Sequence, residues 1–145
     1  MSKLSYNSYS FLLEKALKSM KKSAQKILKD LDCGITLEQW RVLKMIYEQE
    51  GLSQYEIADA TLKDAPTATR IIDLLCKKSL VERRMDRKDR RRFNLFLTKA
   101  GSKKVKDLMP FILEQRKKGW KSLTDKDLND LERILTVIHN NLKNA

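Results

Sequence analysis

Cysteine, histidine, glycine and proline are all scarce in this chain of 145 residues. It has two cysteines, no CxxC pair and a single histidine, His139, which argues against a structural zinc site and favours a reducing compartment such as the cytoplasm. Four glycines and two prolines leave little room for linkers, and no internal repeat or low-complexity segment is visible. We therefore expect one domain, mostly helical.

Long apolar runs and enzyme-like motifs are missing as well. No run approaches the roughly 20 apolar residues of a membrane span, and the first twenty residues have charges inside their apolar pattern and no cleavage site, so a signal peptide is not expected. A single histidine, no glycine-rich phosphate loop and no paired carboxylates in an apolar setting provide no basis for a catalytic site. We expect a protein that is not an enzyme and needs no metal or cofactor.

Positive charge is in large excess. Lysine and arginine number 31 against 19 acidic residues, for a net charge of +12, a balance that points to nucleic acid or another anionic surface. A basic surface that only interacts with solvent would also account for the total. The clustering favours nucleic acid, because six arginines and one lysine fall between Arg83 and Arg92.

The first half of the chain shows helical patterns with clear starts. Apolar residues at i, i+3, i+4 and i+7 steps predict a long amphipathic helix over residues 6–31. A T-x-x-Q capping box at Thr36 predicts the start of a second helix that Gly51 ends, and an S-x-x-E box at Ser53 opens a short third helix reaching about Ala60.

A tight turn and a further helix over Ala65–Ser79 complete a pair of short helices, with Pro66 in the first turn, where proline is tolerated. Thr67, Thr69 and Arg70 are expected to face outward near its start. This layout fits a helix-turn-helix whose second helix enters the major groove. Alone, it also fits an ordinary helical hairpin with a solvated face; the basic segment directly downstream favours the first interpretation.

Two strands, Leu80–Met85 and Phe93–Leu97, are predicted around the arginine-rich turn, because their apolar residues alternate as in a half-buried hairpin. A guanidinium can enter a narrow minor groove and bind phosphates or base edges. Asp89 is expected to hold a neighbouring arginine in one rotamer. A helix followed by a basic β-hairpin is the layout of a winged helix-turn-helix, so the predicted fold is mainly α with a small β-hairpin.

Two more helices are predicted after the hairpin. Thr98 precedes a helix over Lys99 to about Lys118, in which Pro110 should cause a kink. A weaker capping box at Thr124 opens a last helix whose apolar residues have near-heptad spacing, a pattern typical of a helix that packs against another. His139 is expected at the polar rim of that strip.

Several of these segments together resemble the MarR family of bacterial transcriptional regulators. Asp89-Arg90-Arg91, followed by R-F-N-L-F and by L-T-x-x-G at Leu97–Gly101, has the spacing of the family's wing signature. The resemblance extends to these further segments: Thr36–Trp40, Ser53–Ala58, Ala68–Leu75, Leu108–Pro110 and Leu123–Leu131. The sequence departs from the family pattern at Lys78-Ser79, where a glycine usually ends the recognition helix, so Ser79 is expected to adopt a backbone conformation that glycine takes easily.

The resemblance implies a homodimer that binds double-stranded DNA, with long dimerisation helices in residues 1–34 and 99–145 and a winged helix-turn-helix lobe in residues 36–98. By position, Arg91 would be the wing arginine in the minor groove and Asp89 its orienting partner, with Arg87 and Arg90 beside them. Thr69 and Arg70 would lie in the recognition helix. The expected function is a sequence-specific regulator, most simply a repressor, that binds a pseudo-palindromic operator. The alternative is a helical protein-interaction module with a non-specific basic surface.

Members of this family commonly respond to small, often phenolic molecules bound between the dimer helices and the DNA-binding lobe, or to cysteine oxidation. Met20, Trp40 and Tyr47 are the candidates for such an aromatic effector pocket, although residues of these types at helical spacing are more often core. Cys33, in a turn beside Gly34, is the candidate redox residue, whereas Cys76 is expected to pack inside.

Overall fold

The computed structural model describes residues 6–144, with side chains from residue 8 onward, and this range contains six helices and three strands. The elements are α1 (Tyr6–Asp30), α2 (Leu37–Glu48), β1 (Leu52–Ser53), α3 (Gln54–Ala60), α4 (Ala65–Lys77), β2 (Val81–Met85), β3 (Phe93–Leu97), α5 (Lys99–Gly119) and α6 (Asp125–Leu142). The chain forms two compact units, Met1–Gln115 and Arg116–Ala145. The predicted fold class is confirmed, and one strand, β1, is added to it. None of the helices described is long and apolar enough to cross a membrane.

Three helices begin at reciprocal caps that the sequence predicts. At α2, the Gln39 N–H donates to Thr36 Oγ1 and the Thr36 N–H donates to Gln39 Oε1, both at 3.2 Å. The same exchange starts α3 at Ser53 and α6 at Thr124. Each box satisfies two backbone N–H groups that a helix start leaves without partners.

The sheet has the order β1-β3-β2 and is antiparallel throughout. In the hairpin, Val81 pairs with Leu97 and Met85 pairs with Phe93, as the alternation predicts. The two residues of β1 pair with the other side of β3, Leu52 opposite Leu95. The central strand β3 is therefore hydrogen-bonded on both edges.

The core lies where α2, α3, α4 and α5 meet the sheet. The largest fully buried side chains are Trp40, Leu43, Ile46, Ile57, Ile72, Leu75, Leu95, Val42 and Val105. Burying each of the larger ones stabilises the fold by about 1.5–3 kcal/mol. This core packs α4 and the hairpin against each other, and so positions the two elements that carry the candidate site.

The junction between α4, β2 and α5 has unusual backbone geometry. Ser79 has a φ of 60°, the left-handed conformation expected for it from the departure at Lys78-Ser79. The Thr98 N–H donates to the Leu80 carbonyl at 3.1 Å, while the Thr98 hydroxyl donates to the Ser79 carbonyl at 2.7 Å and accepts the Gly101 N–H at 3.0 Å. A Cβ added at Gly101 would lie 2.0 Å from the Leu80 carbonyl oxygen. This approach explains physically why the motif L-T-x-x-G ends in glycine.

Exposed large apolar side chains are most numerous on α1 and α6. On α1 these are Tyr9, Phe11, Leu12, Leu13, Leu17 and Met20; on α6, in the second unit, they are Ile134, Leu135, Val137, Ile138 and Leu142. His139 on α6 is exposed as well, as its expected rim position requires. In the first unit, α5 continues as a helix on both sides of Pro110; the kink expected there stays a prediction.

Candidate nucleic-acid interface

Helix α4 begins with a carboxylate cap. Asp64 Oδ1 accepts the backbone N–H of Thr67 at 2.7 Å, and this hydrogen bond lowers the pKa of the Asp64 carboxyl below its usual value. Pro66 occupies the first turn. Behind this start, the Thr67 side chain is half-buried, whereas Arg70 is exposed and pairs with no carboxylate among the residues described. Arg70 is thus available for a phosphate or a base edge.

The sequence predicts that Thr69 faces outward, but the structure places its side chain in a chain of hydrogen bonds, so it does not face solvent freely. Its side chain is half-buried, and its Oγ1 accepts a hydrogen bond from Gln54 Nε2 at 3.3 Å. Gln54 Oε1 in turn accepts from Arg83 Nε at 2.6 Å. Arg83 also pairs with Asp73 on α4. One side chain from the hairpin is therefore connected to both α3 and α4.

The sequence does contain a signal for the special role of Arg83. In β2, positions 81, 83 and 85 share one face of the strand, and Val81 is buried. Arg83 is paired in register with fully buried Leu95, and its side chain is only 26% exposed. A charge on that face needs partners, and Asp73 and Gln54 supply them.

The turn of the wing is organised mainly by Asp86, to which the sequence assigns no role. Its Oδ1 accepts the backbone N–H groups of Lys88 at 2.8 Å and Asp89 at 3.2 Å, and its Oδ2 accepts from Asn94 Nδ2 at 3.0 Å. These hydrogen bonds, the one from Lys88 first, hold the pKa of the Asp86 carboxyl below its usual value. They stabilise a defined turn in a segment rich in like charges.

Asp89 acts on the backbone of Arg91 more closely than on its side chain. Asp89 Oδ1 accepts the Arg91 N–H at 3.0 Å, while Arg91 Nε lies 3.9 Å from the same oxygen. The Arg91 side chain is 97% exposed. The Asp89 contact thus fixes the backbone position from which the Arg91 side chain extends. That Asp89 also selects the rotamer of Arg91 stays a prediction.

The structure divides the six arginines of the hairpin into two groups. Arg83 is held as described, Arg84 pairs with Glu82 and lies 4.2 Å over the Phe96 ring centroid, and Arg92 pairs with Glu56 at 2.9 Å. The backbone N–H of Ser53, followed by Arg92, lowers the pKa of Glu56.

The second group lies at the tip of the hairpin. These residues are Arg87, Arg90 and Arg91, and Lys88 lies among them. Among the residues described, Arg87, Lys88 and Arg90 have no ion-pair partner, and Arg91 has only the loose contact with Asp89. The tip therefore presents four cations available to an external anion.

The candidate effector and redox residues lie in different surroundings. Trp40 is buried, and its indole Nε1 has no hydrogen-bond partner among the residues that the structure describes, whereas Met20 and Tyr47 are exposed. The Cys33 thiol is half-buried and donates to the Leu28 carbonyl at 3.3 Å. The thiol of Cys76 packs against the core as expected, and burial raises its pKa. No cluster of metal-ligating side chains occurs in the described range.

Known proteins that are similar to the chain agree with this geometry. A family model described as the MarR family matches residues 34–92. The HTH-type transcriptional repressor IacR of Pseudomonas putida is 25% identical over 119 residues, covering 82% of this chain and 70% of that protein.

Solved structures extend the similarity to almost the whole chain. The MepR protein of S. aureus, solved as a complex with DNA, is 30% identical, with a TM-score of 0.83 over 97% of this chain and 100% of that one. AbsC from Streptomyces coelicolor, a MarR family transcriptional regulator, shares the fold with a TM-score of 0.86 over the full length of both chains at 20% identity. The chain thus belongs to the MarR family of transcriptional regulators.

Proposed function

We propose that this regulator is a cytoplasmic homodimer that binds a pseudo-palindromic operator and represses transcription. The observation that carries the proposal is the set of exposed cations at the wing tip, Arg87, Lys88, Arg90 and Arg91, next to the open start of α4. A folded surface that exposes four cations, of which only Arg91 has an ion-pair contact among the described residues, is suited to a polyanion. MepR, 30% identical over its whole length, is described in complex with DNA, and IacR is named a repressor; both support the assignment.

The two parts of the surface suit different grooves. Helix α4 would enter the major groove with Thr67, Thr69 and Arg70 near its N-terminal end, where recognition helices contact base edges. The wing would follow the backbone so that Arg91 enters the minor groove, whose negative potential is greatest where it is narrow. Arg87 and Arg90 would contact phosphates alongside.

Dimerisation would use the helical regions 1–34 and 99–145. The exposed apolar side chains of α1 and of α6 support this assignment, because a monomer rarely keeps such faces in contact with water. A two-fold dimer would present two copies of α4 to half-sites about one helical turn, roughly 10 base pairs, apart. Analytical ultracentrifugation should give twice the chain mass at micromolar concentration; a monomer there would refute the dimer.

The test of the wing compares two arginines of equal charge. We expect Arg91→Ala to weaken binding to an operator selected from a random DNA pool by about 1–3 kcal/mol and to lower the slope of log affinity against log salt by about 1. Arg84→Ala removes the same charge, but Arg84 is already engaged by Glu82 and Phe96, so its effect on affinity should be smaller.

Fluorescence anisotropy at three salt concentrations measures both variants, and thermal unfolding checks that each is folded. Binding by Arg91→Ala equal to wild type, or an equal loss in both variants, would contradict the minor-groove role of Arg91.

The exposed apolar faces also favour one alternative, a helical protein-interaction module whose basic surface only interacts with solvent. A gel shift against the DNA upstream of the chain's own gene, with excess random competitor, separates the two. Retention of a specific complex supports the regulator, and its absence supports the interaction module.

We further propose that DNA release is controlled, either by a small aromatic molecule at a pocket lined by Met20, Trp40 and Tyr47 or by oxidation of Cys33. The unsatisfied indole N–H of buried Trp40 supports the first option. For the second, mild peroxide should lower the DNA affinity of wild type and not that of Cys33→Ser. Equal affinity of wild type before and after peroxide would remove the redox option.

A further inference from the structure

We propose that Arg83 and Gln54 are positioning residues that make Thr69 a hydrogen-bond donor toward the DNA, and so determine which bases are accepted at one operator position. This inference rests on the proposed DNA-binding function. It adds a source of specificity in side chains that need not touch DNA themselves. Two consecutive hydrogen bonds have the same direction: Arg83 donates to Gln54, and Gln54 donates to Thr69.

Arg83 fixes the orientation of the Gln54 side-chain amide. A guanidinium has five N–H donors and no acceptor, so the amide atom that faces Arg83 Nε at 2.6 Å must be the carbonyl oxygen Oε1. The amide group of Gln54 then points its NH₂ the other way, toward α4. Because Arg83 can only donate, the orientation of Gln54 is fixed by chemistry as well as by packing.

The position of the Arg83 guanidinium is fixed in turn by its own partners. Its guanidinium pairs with Asp73, and a further nitrogen lies 3.7 Å from Cys76 Sγ. The residue is on the strand face that packs inward, opposite Leu95. The Arg83 guanidinium is therefore held by contacts with Gln54 of α3 and with Asp73 and Cys76 of α4, which oppose its rotation away from Gln54.

Gln54 determines the role of the Thr69 hydroxyl. Gln54 Nε2 can only donate, so Thr69 Oγ1 is the acceptor of that 3.3 Å hydrogen bond. A helical threonine often donates its proton to a carbonyl one turn earlier, as Thr61 does to Ile57 at 2.6 Å. Among the described residues, the Thr69 hydroxyl has no such acceptor, and its proton remains available.

The consequence is a defined preference in the major groove. A hydroxyl that already accepts one hydrogen bond, and whose proton is unused, pairs best with an acceptor: purine N7, guanine O6 or thymine O4. The exocyclic amino group of cytosine is only a donor, so cytosine fits poorly, whereas adenine presents both an acceptor, N7, and a donor, its amino group. Thr69 alone could donate or accept; with Gln54 and Arg83 behind it, it donates.

The test reverses the direction of the hydrogen bond between Gln54 and Thr69 by a substitution that hardly changes the shape of the side chain. In Gln54→Glu the introduced carboxylate still accepts from Arg83, but it has no donor for Thr69. The Thr69 hydroxyl should then turn its proton toward that carboxylate, leaving only oxygen lone pairs for the DNA. The matched control is Thr69→Val, which keeps the shape of the side chain and removes the hydroxyl. The double variant completes a cycle.

The measurement is the base preference at each operator position, obtained by selecting bound sequences from a random pool with all four proteins. We expect one position at which wild type prefers bases presenting acceptors. At that position the ratio of guanine and thymine, which present acceptors only, to cytosine, which presents a donor only, should fall about three- to tenfold in Gln54→Glu, the range for one hydrogen bond. The added negative charge weakens binding to every sequence and cancels in this ratio.

Four further results separate the possible failures. Thr69→Val should lose the preference at the same position, and adding Gln54→Glu to it should change the preference no further; a further change would overturn the coupling. If Thr69→Val loses the base preference but Gln54→Glu keeps it, Thr69 contacts a base without help from Gln54. That result would also overturn the coupling. A uniform loss of affinity in Thr69→Val, with no change in preference, would assign Thr69 to a phosphate and overturn the proposal. Wild type that selects no sequence would refute the proposed function instead.

Discussion

Replacing Gly101 by alanine tests the closest backbone approach found at any of the four glycines. The added Cβ would lie 3.0 Å from the Leu80 carbonyl carbon and 2.0 Å from its oxygen, and the distance to the oxygen is more than an ångström inside ordinary van der Waals contact. The obstacle is backbone, and the same carbonyl accepts the Thr98 N–H, so it cannot rotate aside without losing that bond. Either α5 moves away from the base of the hairpin, or the hydrogen bond breaks.

The expected cost follows from these two routes. Overpacking costs about 1–3 kcal/mol, and a lost hydrogen bond costs about 0.5–1.5 kcal/mol, while alanine regains up to about 1 kcal/mol over glycine in a helix. We expect Gly101→Ala to lower the free energy of unfolding by about 2 kcal/mol, a large share of the typical 5–15 kcal/mol. The melting temperature should fall by about 8 °C.

Urea unfolding followed by circular dichroism measures the change, using linear extrapolation. Gly119→Ala is the matched control, because Gly119 is also in α5 and its added Cβ would meet no atom within 4 Å. It should leave stability unchanged or raise it slightly. If Gly101→Ala unfolds within about 1 kcal/mol of wild type, the close approach of α5 to Leu80 is not present in solution.

Two further predictions concern the same lobe. Ser79→Gly should stabilise the protein by about 0.5–1 kcal/mol, because it relieves a left-handed conformation at φ 60° that costs a non-glycine residue about 1–2 kcal/mol; a loss of stability in urea unfolding would show that the serine side chain is needed there. The order of the wing turn should depend on pH through Asp86, whose pKa is lowered in the folded state, first by the Lys88 N–H. That contribution is complete above the unfolded pKa of about 3.9 and disappears as the pH falls through the lower folded value. Amide exchange at Lys88 should accelerate below pH 4 in wild type, whereas in Asp86→Ala it should already be fast at neutral pH; slow exchange in Asp86→Ala at neutral pH would contradict the assignment.

The helices were predictable because their signals are local. The capping boxes at Thr36, Ser53 and Thr124 each involve residues three apart, and the structure places a helix start at all three. The left-handed Ser79 was predictable from a departure within one motif. Strand β1 was not, because two residues are too few to show alternation and their partner in β3 lies about forty residues further along the chain.

The sequence predicts where the charged residues of the candidate site lie, but it does not predict which of them form ion pairs or hydrogen bonds. The concentration of arginine in the hairpin is visible in the sequence, but composition cannot distinguish Arg91 at the tip from Arg83, which is held by Asp73. That division depends on which strand face packs inward. Asp86 was missed for a related reason, since its partners Lys88 and Asn94 meet it only once the turn has formed.

The edges of the small sheet have a consequence for the behaviour of the protein at high concentration. Exposed strand edges are templates on which other chains can pair and aggregate. Here β3 is covered on both sides, β1 is only two residues long, and β2 carries three consecutive charged residues, Glu82, Arg83 and Arg84. An incoming strand would have to lie against this row of charges. The hairpin that would be inserted into DNA is thereby also protected against joining another hairpin when no DNA is bound.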